Sequence, residues 1–366
     1  MTRAAKGALA GRGKRRWQAE CLPHQGCQPV DPGWWRRRFR LRIGPSEAFF
    51  GSLLAAALFL CGCGRYADFT LPPLSRGDPR ASYAWEPRAD PVMRRDTAWD
   101  AHDALNPSVV ESRDMFYSGY DGQTWRTLHA ESADGIHWLK RGVVLAPDPK
   151  TWEGSYIAAN GSALRVQGEV WYWYVGGPRE QPQIGLARGW KKEPMPVLGP
   201  GPRGAWDERG VADPYVIRVE PYFYLSYLGQ DRAARQRLGI ARSRDGIRWE
   251  KLRANPILEL GDTGSFDENG LGEPAVWSAR GFYWMLYTGR DAQENRRLGL
   301  ARSADGAHWQ KLPAVFAGHE SWNSKVICDP TVEDGARVWF GGGDVARPDE
   351  NIHGQIGFAS LTPVVE

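Results

Sequence analysis

Short apolar runs, rich in aromatic residues and bounded by turn-forming residues, recur along the chain from about residue 98. Runs this short are typical of buried β-strands rather than of helices, which need a longer periodic pattern. The five clearest runs lie at 115–117, 171–174, 222–225, 283–286 and 338–340, and each leads into glycine. The pattern therefore predicts an all-β fold of many short strands joined by tight turns.

The strand pattern is repeated at a nearly constant interval. Residues 237–249 match residues 297–309 at an offset of 60, and both segments contain Leu-Gly-x-Ala-Arg-Ser followed by x-Asp-Gly. Aligning all copies gives five units, with equivalent residues at spacings of 54, 53, 60 and 56: Asn106, Asn160, Asp213, Glu273 and Asp329. Repeats of this length, built from strands and turns, are typical of propeller blades. We expect a five-bladed β-propeller of antiparallel blades over residues 98–366.

Proline marks the strand that should face the central channel. Four of the five aligned residues precede a proline, and Asn160 precedes Gly161. Proline cannot donate a ladder hydrogen bond and is confined to strand starts and edges. It also disfavours helical conformation in the residue before it. We therefore expect the four residues before a proline to be extended, to start the innermost strands and to point toward the channel axis: Asn106, Asp213, Glu273 and Asp329.

The N-terminal part has the composition of an export signal. A basic segment at 36–42 precedes an apolar run at 48–60, which is too short for an ordinary membrane span. Residues 60–63 read Leu-Cys-Gly-Cys and resemble the bacterial lipobox, which implies lipidation of Cys63. We expect a signal segment over 1–62, an extended linker over 63–97, and export with lipid anchoring to the outer membrane or cell surface. The alternative is a short membrane anchor with free thiols.

Charge and cysteine content exclude several classes of function. The net charge is +4, but residues 1–62 hold 11 Lys and Arg against 3 Asp and Glu, so the remainder is mildly acidic. A nucleic-acid partner is therefore not expected. Only Cys63 and Cys328 follow the predicted signal segment 1–62, which gives no disulfide framework. Zinc-protease, phosphate-loop and serine-hydrolase motifs are also missing from the sequence. We expect a monomer.

Five aromatic–polar pairs precede the aligned positions and are interpreted first as scaffold, because every unit has one. They are Trp99-Asp100, Trp152-Glu153, Trp206-Asp207, Phe266-Asp267 and Trp322-Asn323. We expect the aromatic ring to pack between blades and the acid to satisfy a turn. The alternative is that Trp206 or Trp322 binds substrate as a stacking platform for a sugar ring.

The axis-facing position varies chemically, reading Asn, Asn, Asp, Glu and Asp through the five units. Three carboxyls that converge on one channel repel one another and raise one another's pKa values, which makes acid/base chemistry possible near neutral pH. The alternative is a ring of polar side chains that holds water or a structural Ca²⁺ ion, with no other cofactor expected. The loops 230–237, 290–297 and 347–353 are the candidate determinants of substrate selectivity.

The chain resembles the five-bladed propeller glycosidases, especially glycoside hydrolase family 43 and its relatives, over residues 98–366. The resemblance rests on Asp213-Pro214, Gly272-Glu273-Pro274, the aromatic second strands and the Leu-Gly-x-Ala-Arg-Ser third strands. It implies an oligo- or polysaccharide substrate, Glu273 as general acid and Asp213 as the acid that orients it and tunes its pKa. The base of that inverting family should lie one blade earlier, where this chain has Asn160, so Asp329 is the nearest substitute.

Two rival functions stay open at this point. The missing base at Asn160 also fits a catalytically inactive propeller lipoprotein that binds glycans. In the enzyme as in this rival, Asn106 and Asn160 are expected to bind the sugar. A structural surface lipoprotein, whose channel holds only a cation, is the other possibility.

Overall fold

The computed structural model describes residues 65–347 and 350–365. Within these residues the regular structure consists of β-strands and one short 3-10 turn, η1. The strands are β1 Arg65–Ala67, β2 Ala81–Pro87, β3 Asp103–Val110, β4 Asp114–Tyr120, β5 Trp125–Ser132, β6 Trp138–Leu145, β7 Ile157–Val166, β8 Glu169–Gly176, β9 Gln183–Arg188, β10 Lys191–Lys192, β11 Gly210–Val219, β12 Tyr222–Gln230, β13 Gln236–Ser243, β14 Glu250–Leu252, β15 Gly270–Ala279, β16 Phe282–Arg290, β17 Arg296–Ser303, β18 Gln310–Phe316, β19 Val326–Glu333, β20 Arg337–Gly343 and β21 Gln355–Val365, with η1 at Ser321–Asn323 before β19. The all-β prediction is confirmed.

Strand pairing groups the described strands into five antiparallel units, numbered here in chain order. Four units are consecutive meanders: β3 to β6, β7 to β10, β11 to β14 and β15 to β18. The fifth comprises β19, β20, β21 and β2. The first strands of successive units contact one another, and β19 returns to β3. The five first strands therefore form a closed ring around a channel, as in a β-propeller.

The prediction of an extended linker over 63–97 is wrong where this segment forms the strands β1 and β2 of the fold. β2 pairs antiparallel with β21 along its whole length, and β1 pairs in parallel with β14. The fifth unit has only three strands of its own from the C-terminal part of the chain, which leaves the outer edge of β21 unpaired. β2 covers this edge and packs Tyr83 against Trp284 with ring centroids 4.8 Å apart. Flanking Pro, Arg and Asp residues concealed this strand in the sequence.

Each of the first four units contains a triad of a buried acid, a buried tyrosine and a lysine. The acid of the aromatic–acid pair accepts hydrogen bonds from a Tyr hydroxyl on the second strand and a Lys ammonium on the fourth. The triads are Asp100–Tyr117–Lys140, Glu153–Tyr174–Lys192, Asp207–Tyr227–Lys251 and Asp267–Tyr287–Lys311. Each triad links the segment just before the first strand to the second and fourth strands of its unit.

The fifth unit replaces the triad by uncharged groups. Asn323 and Phe340 occupy the positions of the acid and the tyrosine, and the fourth strand, β2, supplies no lysine. A buried carboxylate without its cation is costly. Since β2 comes from a different part of the chain and brings no lysine, uncharged residues at the other two positions avoid an unpaired buried charge.

Substitution of Lys251 by Met tests the structural role of the triads. Asp207 and Lys251 expose 0% and 3% of their side chains. Removing one partner of such a buried pair costs about 3–5 kcal/mol of the free energy of unfolding. We expect a loss of this size in urea denaturation. The matched control Lys191→Met, at an exposed position, should change it by less than about 0.5 kcal/mol, and Asp207→Asn added to Lys251→Met should restore part of the loss. Equal stability of the Lys251→Met and Lys191→Met proteins would contradict the prediction.

Candidate functional site

A β-bulge interrupts every first strand at the same place. The pairing register shifts between Leu105 and Ser108 in β3, and the other four first strands shift at the equivalent position. The five aligned residues sit at these bulges in left-handed conformation, with φ of 48° for Asn106, 50° for Asn160, 50° for Asp213, 46° for Glu273 and 51° for Asp329. Asn and Asp tolerate this region better than most residues, whereas Glu rarely adopts it. The expectation of extended residues at strand starts is wrong: these residues lie within the strands.

The bulges bring the five aligned side chains together in the channel. All five line a cavity of about 170 Å³ on one side of the ring and a smaller one of about 30 Å³ on the other. The larger cavity has an aromatic wall that includes Trp125 and Tyr156, and a basic wall that includes Arg290 and Arg296. Bulges commonly re-aim side chains next to active sites. The predicted convergence of Asn106, Asn160, Asp213, Glu273 and Asp329 is therefore present.

Glu273 lies between the two aspartates, on the strand next to each. One carboxylate oxygen of Glu273, one of Asp329 and the Cys328 Sγ all lie within 4.8 Å of one another. Burial and the charge of Glu273 raise the pKa of Asp213 to about 8, although the Glu273 backbone N–H donates to it. Burial and the same charge raise the pKa of Asp329 well above its ordinary value. Asp213 and Asp329, one on each side of Glu273, therefore hold protons near neutral pH.

The separation of Glu273 and Asp329 does not fit the expected acid–base pair. Inverting glycosidases hold the two carboxyls roughly 6.5–9.5 Å apart, with space for a water on the far side of the sugar. Here the closest carboxylate oxygens lie within 4.8 Å, on neighbouring strands rather than on opposite walls. The sequence could not reveal this, because the order of residues gives no distance across the channel. Asp329 is not placed as the base of an inverting pair.

Hydrogen bonds distinguish Asp329 from Glu273. Asn106 Nδ2 donates to Asp329 Oδ1 at 2.5 Å, and Cys328 Sγ donates to Oδ2 at 3.0 Å. Among the described residues, Glu273 Oε2 and Asn160 Oδ1 are buried without a hydrogen-bond partner. Buried polar atoms normally have partners, so unsatisfied ones call for an explanation. A bound sugar, with its hydroxyl groups and glycosidic oxygen, would supply partners for both.

Two arginines from the β16–β17 hairpin place positive charge beside the carboxyls. Arg290 donates to Gln236 Oε1 and pairs with Glu294 at 3.2 Å, and Arg296 is buried. Both guanidinium charges lower the pKa of Asp213, but less than burial and Glu273 raise it. The sequence indicated the loop 290–297 as a selectivity determinant, but it did not single out these residues.

Trp206 and Trp322 are not brought to the cavity, which excludes them as stacking platforms there. Trp206 covers Gly229 and Gly239, and Trp322 covers Gly342 and Gly357, leaving no room for a Cβ at these glycines. Both rings thus pack on the strands of their own unit and against hydrophobic clusters shared with the preceding unit. The aromatic residues of the cavity, Trp125 and Tyr156, were missed because they belong to no repeated motif.

The possible Ca²⁺ ion in the central channel stays a prediction. The channel groups that lie close enough together to hold a metal ion are Glu273, Cys328 and Asp329. Ca²⁺ takes six to eight oxygen ligands. Burial and the charge of Asp329 raise the pKa of the Cys328 thiol, which disfavours it as a metal ligand. Cys63 and the predicted signal segment lie outside the described residues, in which no helix is long and apolar enough to cross a membrane.

Comparison with known proteins relates the chain to carbohydrate-active enzymes. Residues 114–328 match the family model described as "Glycosyl hydrolases family 32 N-terminal domain". The uncharacterized protein Rv1502 of Mycobacterium tuberculosis (strain ATCC 25618 / H37Rv) is 28% identical over 227 residues, covering 56% of this chain and 75% of the relative. The 1,2-beta-oligomannan phosphorylase of Thermoanaerobacter sp. (strain X514) is 29% identical over 130 residues, covering 33% of this chain and 43% of the relative.

Solved structures confirm the propeller glycosidase fold. A complex of BT0996 with RGII has a TM-score of 0.60 at 16% identity, and the match covers 77% of this chain and 93% of BT0996. A mannoside-targeting member of the GH130 family has a TM-score of 0.59 at 16% identity, with coverage of 80% and 96%. A thermostable family-43 glycoside hydrolase has a TM-score of 0.53 at 13% identity, with coverage of 71% and 88%. At these identities the likeness concerns the fold alone.

The raised pKa of Asp213 predicts how stability depends on pH. Its pKa is about 8 in the folded protein, against about 3.9 in an unfolded chain. The folded state therefore binds this proton more tightly, and the contribution of Asp213 to the free energy of unfolding falls as pH rises from about 4 to 8. We expect Asp213→Asn to gain stability relative to the wild type between pH 5 and pH 8 in urea denaturation. The control Asp262→Asn, at an exposed loop position, should show no such gain, and a constant difference between wild type and Asp213→Asn would refute the prediction.

Proposed function

Because the protein belongs to the family described as glycosyl hydrolases family 32 N-terminal domain, which its residues 114–328 match, we propose that it hydrolyses glycosidic bonds of oligo- or polysaccharides by acid/base catalysis in the central channel. The protein is a carbohydrate-active enzyme of the glycoside hydrolase type. The observation that carries the proposed site is the carboxyl cluster at the larger cavity, in which Glu273 Oε2 is buried without a partner.

Glu273 is the proposed general acid. Its unsatisfied Oε2 is available to the glycosidic oxygen, whereas both carboxyl oxygens of Asp329 already accept hydrogen bonds. As the bond between the anomeric carbon and the leaving oxygen breaks, Glu273 donates a proton to that oxygen. Protonation of the leaving group prevents an alkoxide from forming at neutral pH.

Asp213 and Asp329 are proposed to position Glu273 and to control its proton. Asp213 accepts the Glu273 backbone N–H, which fixes the strained bulge, and Asp329 lies beside the Glu273 carboxyl. Since both aspartates have raised pKa values, they hold protons near neutral pH and limit the negative charge of the cluster. This arrangement keeps a proton close to the leaving oxygen.

The polar and aromatic lining supports a sugar ligand. Asn160 Oδ1 is buried without a partner and can accept a sugar hydroxyl. Trp125 and Tyr156 offer aromatic surface in the same cavity. Pockets of this kind, with apolar walls and a few directed polar groups, are typical of small-ligand sites.

Phosphorolysis is a second candidate reaction, favoured by Arg290 and Arg296 in the cavity. Guanidinium groups bind phosphate well, and a bound phosphate attacks the anomeric carbon as an anion, without a base. The absence of a carboxylate at Asn160 would then not impair the reaction. The 1,2-beta-oligomannan phosphorylase is one of the relatives in sequence. Product release that depends on inorganic phosphate, with a sugar 1-phosphate formed, distinguishes this candidate from hydrolysis.

Export and lipid anchoring remain proposals that rest on the sequence alone. The basic segment, the apolar run and Cys63 support attachment to the cell envelope. Metabolic labelling with a fatty-acid probe in a bacterial host tests this, and a Cys63→Ser protein that is still labelled would refute it.

Substitution of Glu273 by Gln tests the assignment of the acid. General acid catalysis contributes about 10²- to 10⁴-fold, so we expect a loss of this size in kcat on unactivated oligosaccharides, including β-1,2-linked manno-oligosaccharides. The loss should be much smaller on dinitrophenyl glycosides, whose leaving group needs no proton. The control Glu250→Gln lies on outer strand β14 and should retain full activity.

Two results would contradict the assignment. Full activity of Glu273→Gln on unactivated substrates would remove Glu273 from the role of acid. Glycan binding by the wild type, without turnover of any substrate and without an effect of Glu273→Gln, would favour the inactive glycan-binding protein instead.

A further inference from the structure

The cavity wall around Asn160 contains a carboxylate that the repeat does not supply. Among the described residues, four carboxylates line the larger cavity, and the fourth is Glu350. It lies between β20 and β21 of the fifth unit, outside the ring of bulges. Tyr156, Ile157 and Asn160, from the start of the second unit, line the same cavity.

Two side chains of the second unit fix the Glu350 carboxylate. The Tyr156 hydroxyl donates to Glu350 Oε1 at 2.5 Å, and the Arg179 guanidinium lies 3.0 Å from the carboxylate. Only 13% of the Glu350 side chain is exposed. Tyr156 immediately precedes β7, the strand that carries Asn160. The loop of the fifth unit is thereby held against the unit in which the inner-strand carboxylate is missing.

The surroundings of Glu350 differ from those of the channel aspartates. Asp213 and Asp329 lie beside Glu273, which disfavours their ionised forms. Glu350 lies beside the cation Arg179 instead. Burial and Glu350 raise the pKa of Tyr156, so the phenol stays protonated and donates its hydrogen. The Tyr156 hydroxyl and the Arg179 guanidinium thus hold the Glu350 carboxylate in one orientation in the cavity wall.

Glu350 and Glu273 belong to different sides of the cavity. Glu273 is on β15, and Tyr156, which holds Glu350, leads into β7. In the ring, β7 and β15 are not neighbours, because β11 lies between them on one side and β3 and β19 on the other. The strand beside Glu350 and the strand of Glu273 are thus separated in the ring, whereas Glu273 and Asp329 lie on neighbouring strands.

We propose that Glu350 is the general base of the hydrolytic reaction, replacing the inner-strand carboxylate that is absent at Asn160. This inference rests on the proposed hydrolytic function. Glu350 accepts one proton of a water molecule, whose oxygen bonds to the anomeric carbon. The bond to the leaving oxygen breaks at the same time, and that oxygen takes the proton of Glu273. One water is consumed, and the two carboxyl groups exchange protons with solvent to return to their starting states.

Substitutions at Glu350 test the proposal on the full-length protein. Glu350→Gln should lower kcat by about 10²- to 10⁴-fold on both oligosaccharides and dinitrophenyl glycosides. The loss occurs on both because a base activates the nucleophile and not the leaving group. Glu273→Gln should instead recover activity with dinitrophenyl leaving groups. The control Glu193→Gln removes an equally Arg-paired glutamate outside the cavity and should behave as wild type.

Chemical rescue separates a base from a structural contact. Azide attacks as an anion and needs no base, so sodium azide should restore turnover of dinitrophenyl glycosides by Glu350→Ala and form a glycosyl azide. Tyr156→Phe should retain part of the activity, because Arg179 still holds the carboxylate. Wild-type kcat in Glu350→Gln would overturn the proposal. Loss of activity without azide rescue would also overturn it, and would assign Glu350 to holding the loop.

The wild-type protein separates failure of this inference from failure of the proposed function. If the wild type turns over no glycoside, hydrolysis itself is refuted. If turnover requires inorganic phosphate, the reaction is phosphorolysis and needs no base, so Glu350 loses the role. If the wild type hydrolyses glycosides without phosphate and Glu350→Gln is equally active, only the assignment of Glu350 fails.

Discussion

The candidate site depends on one backbone constraint, the bulge that places a left-handed residue in each of the five first strands. In a regular strand, side chains alternate between the two faces of the sheet. The bulge breaks this alternation at one position and directs a side chain into the channel. Because all five first strands contain this bulge, the backbone sets where the five side chains lie. The residue type at these positions can therefore vary among Asn, Asp and Glu without changing the geometry. The strain at Glu273, a residue type rare in this region, is offset by the surrounding ring.

The protein buries acids in two contrasting ways. In the first four units an acid meets a lysine ammonium and a tyrosine hydroxyl, which makes it a paired structural group. In the channel, Asp213, Glu273 and Asp329 face one another, and the nearby arginines compensate them only in part. Paired acids stabilise the units, whereas Asp213 and Asp329, clustered around Glu273, hold protons near neutral pH. The lysines lie on the fourth strands of the first four units, whereas the channel acids lie on the first strands.

The repeat made the fold and the five channel residues predictable from the sequence. A repeat of this length, with proline or glycine after each aligned residue, can be recognised in the sequence without knowing any distance in the folded protein. β2 was not predictable in this way, because it belongs to the last unit in space but precedes the first in the chain. The closeness of Glu273 and Asp329, and the meeting of Glu350 with Tyr156, also depend on how distant segments come together. The lysines of three triads did carry a signal in the sequence. Each lies two residues after the tryptophan that follows an Asp-Gly turn, as Lys140 follows Trp138, Lys251 follows Trp249 and Lys311 follows Trp309.

The proposed position of the base, on a loop rather than on an inner strand, is consistent with the bulges that direct all five aligned side chains into one channel. A carboxylate at Asn160 would join Asp213 on the neighbouring strand and add to the repulsion among the channel acids. An amide at this position avoids that cost and, with its unsatisfied Oδ1, can still bind a sugar hydroxyl. A carboxylate that enters from the loop before β21 and pairs with Arg179 carries its own compensating charge. Proton acceptance can therefore be supplied from the loop side without a fourth acid in the ring.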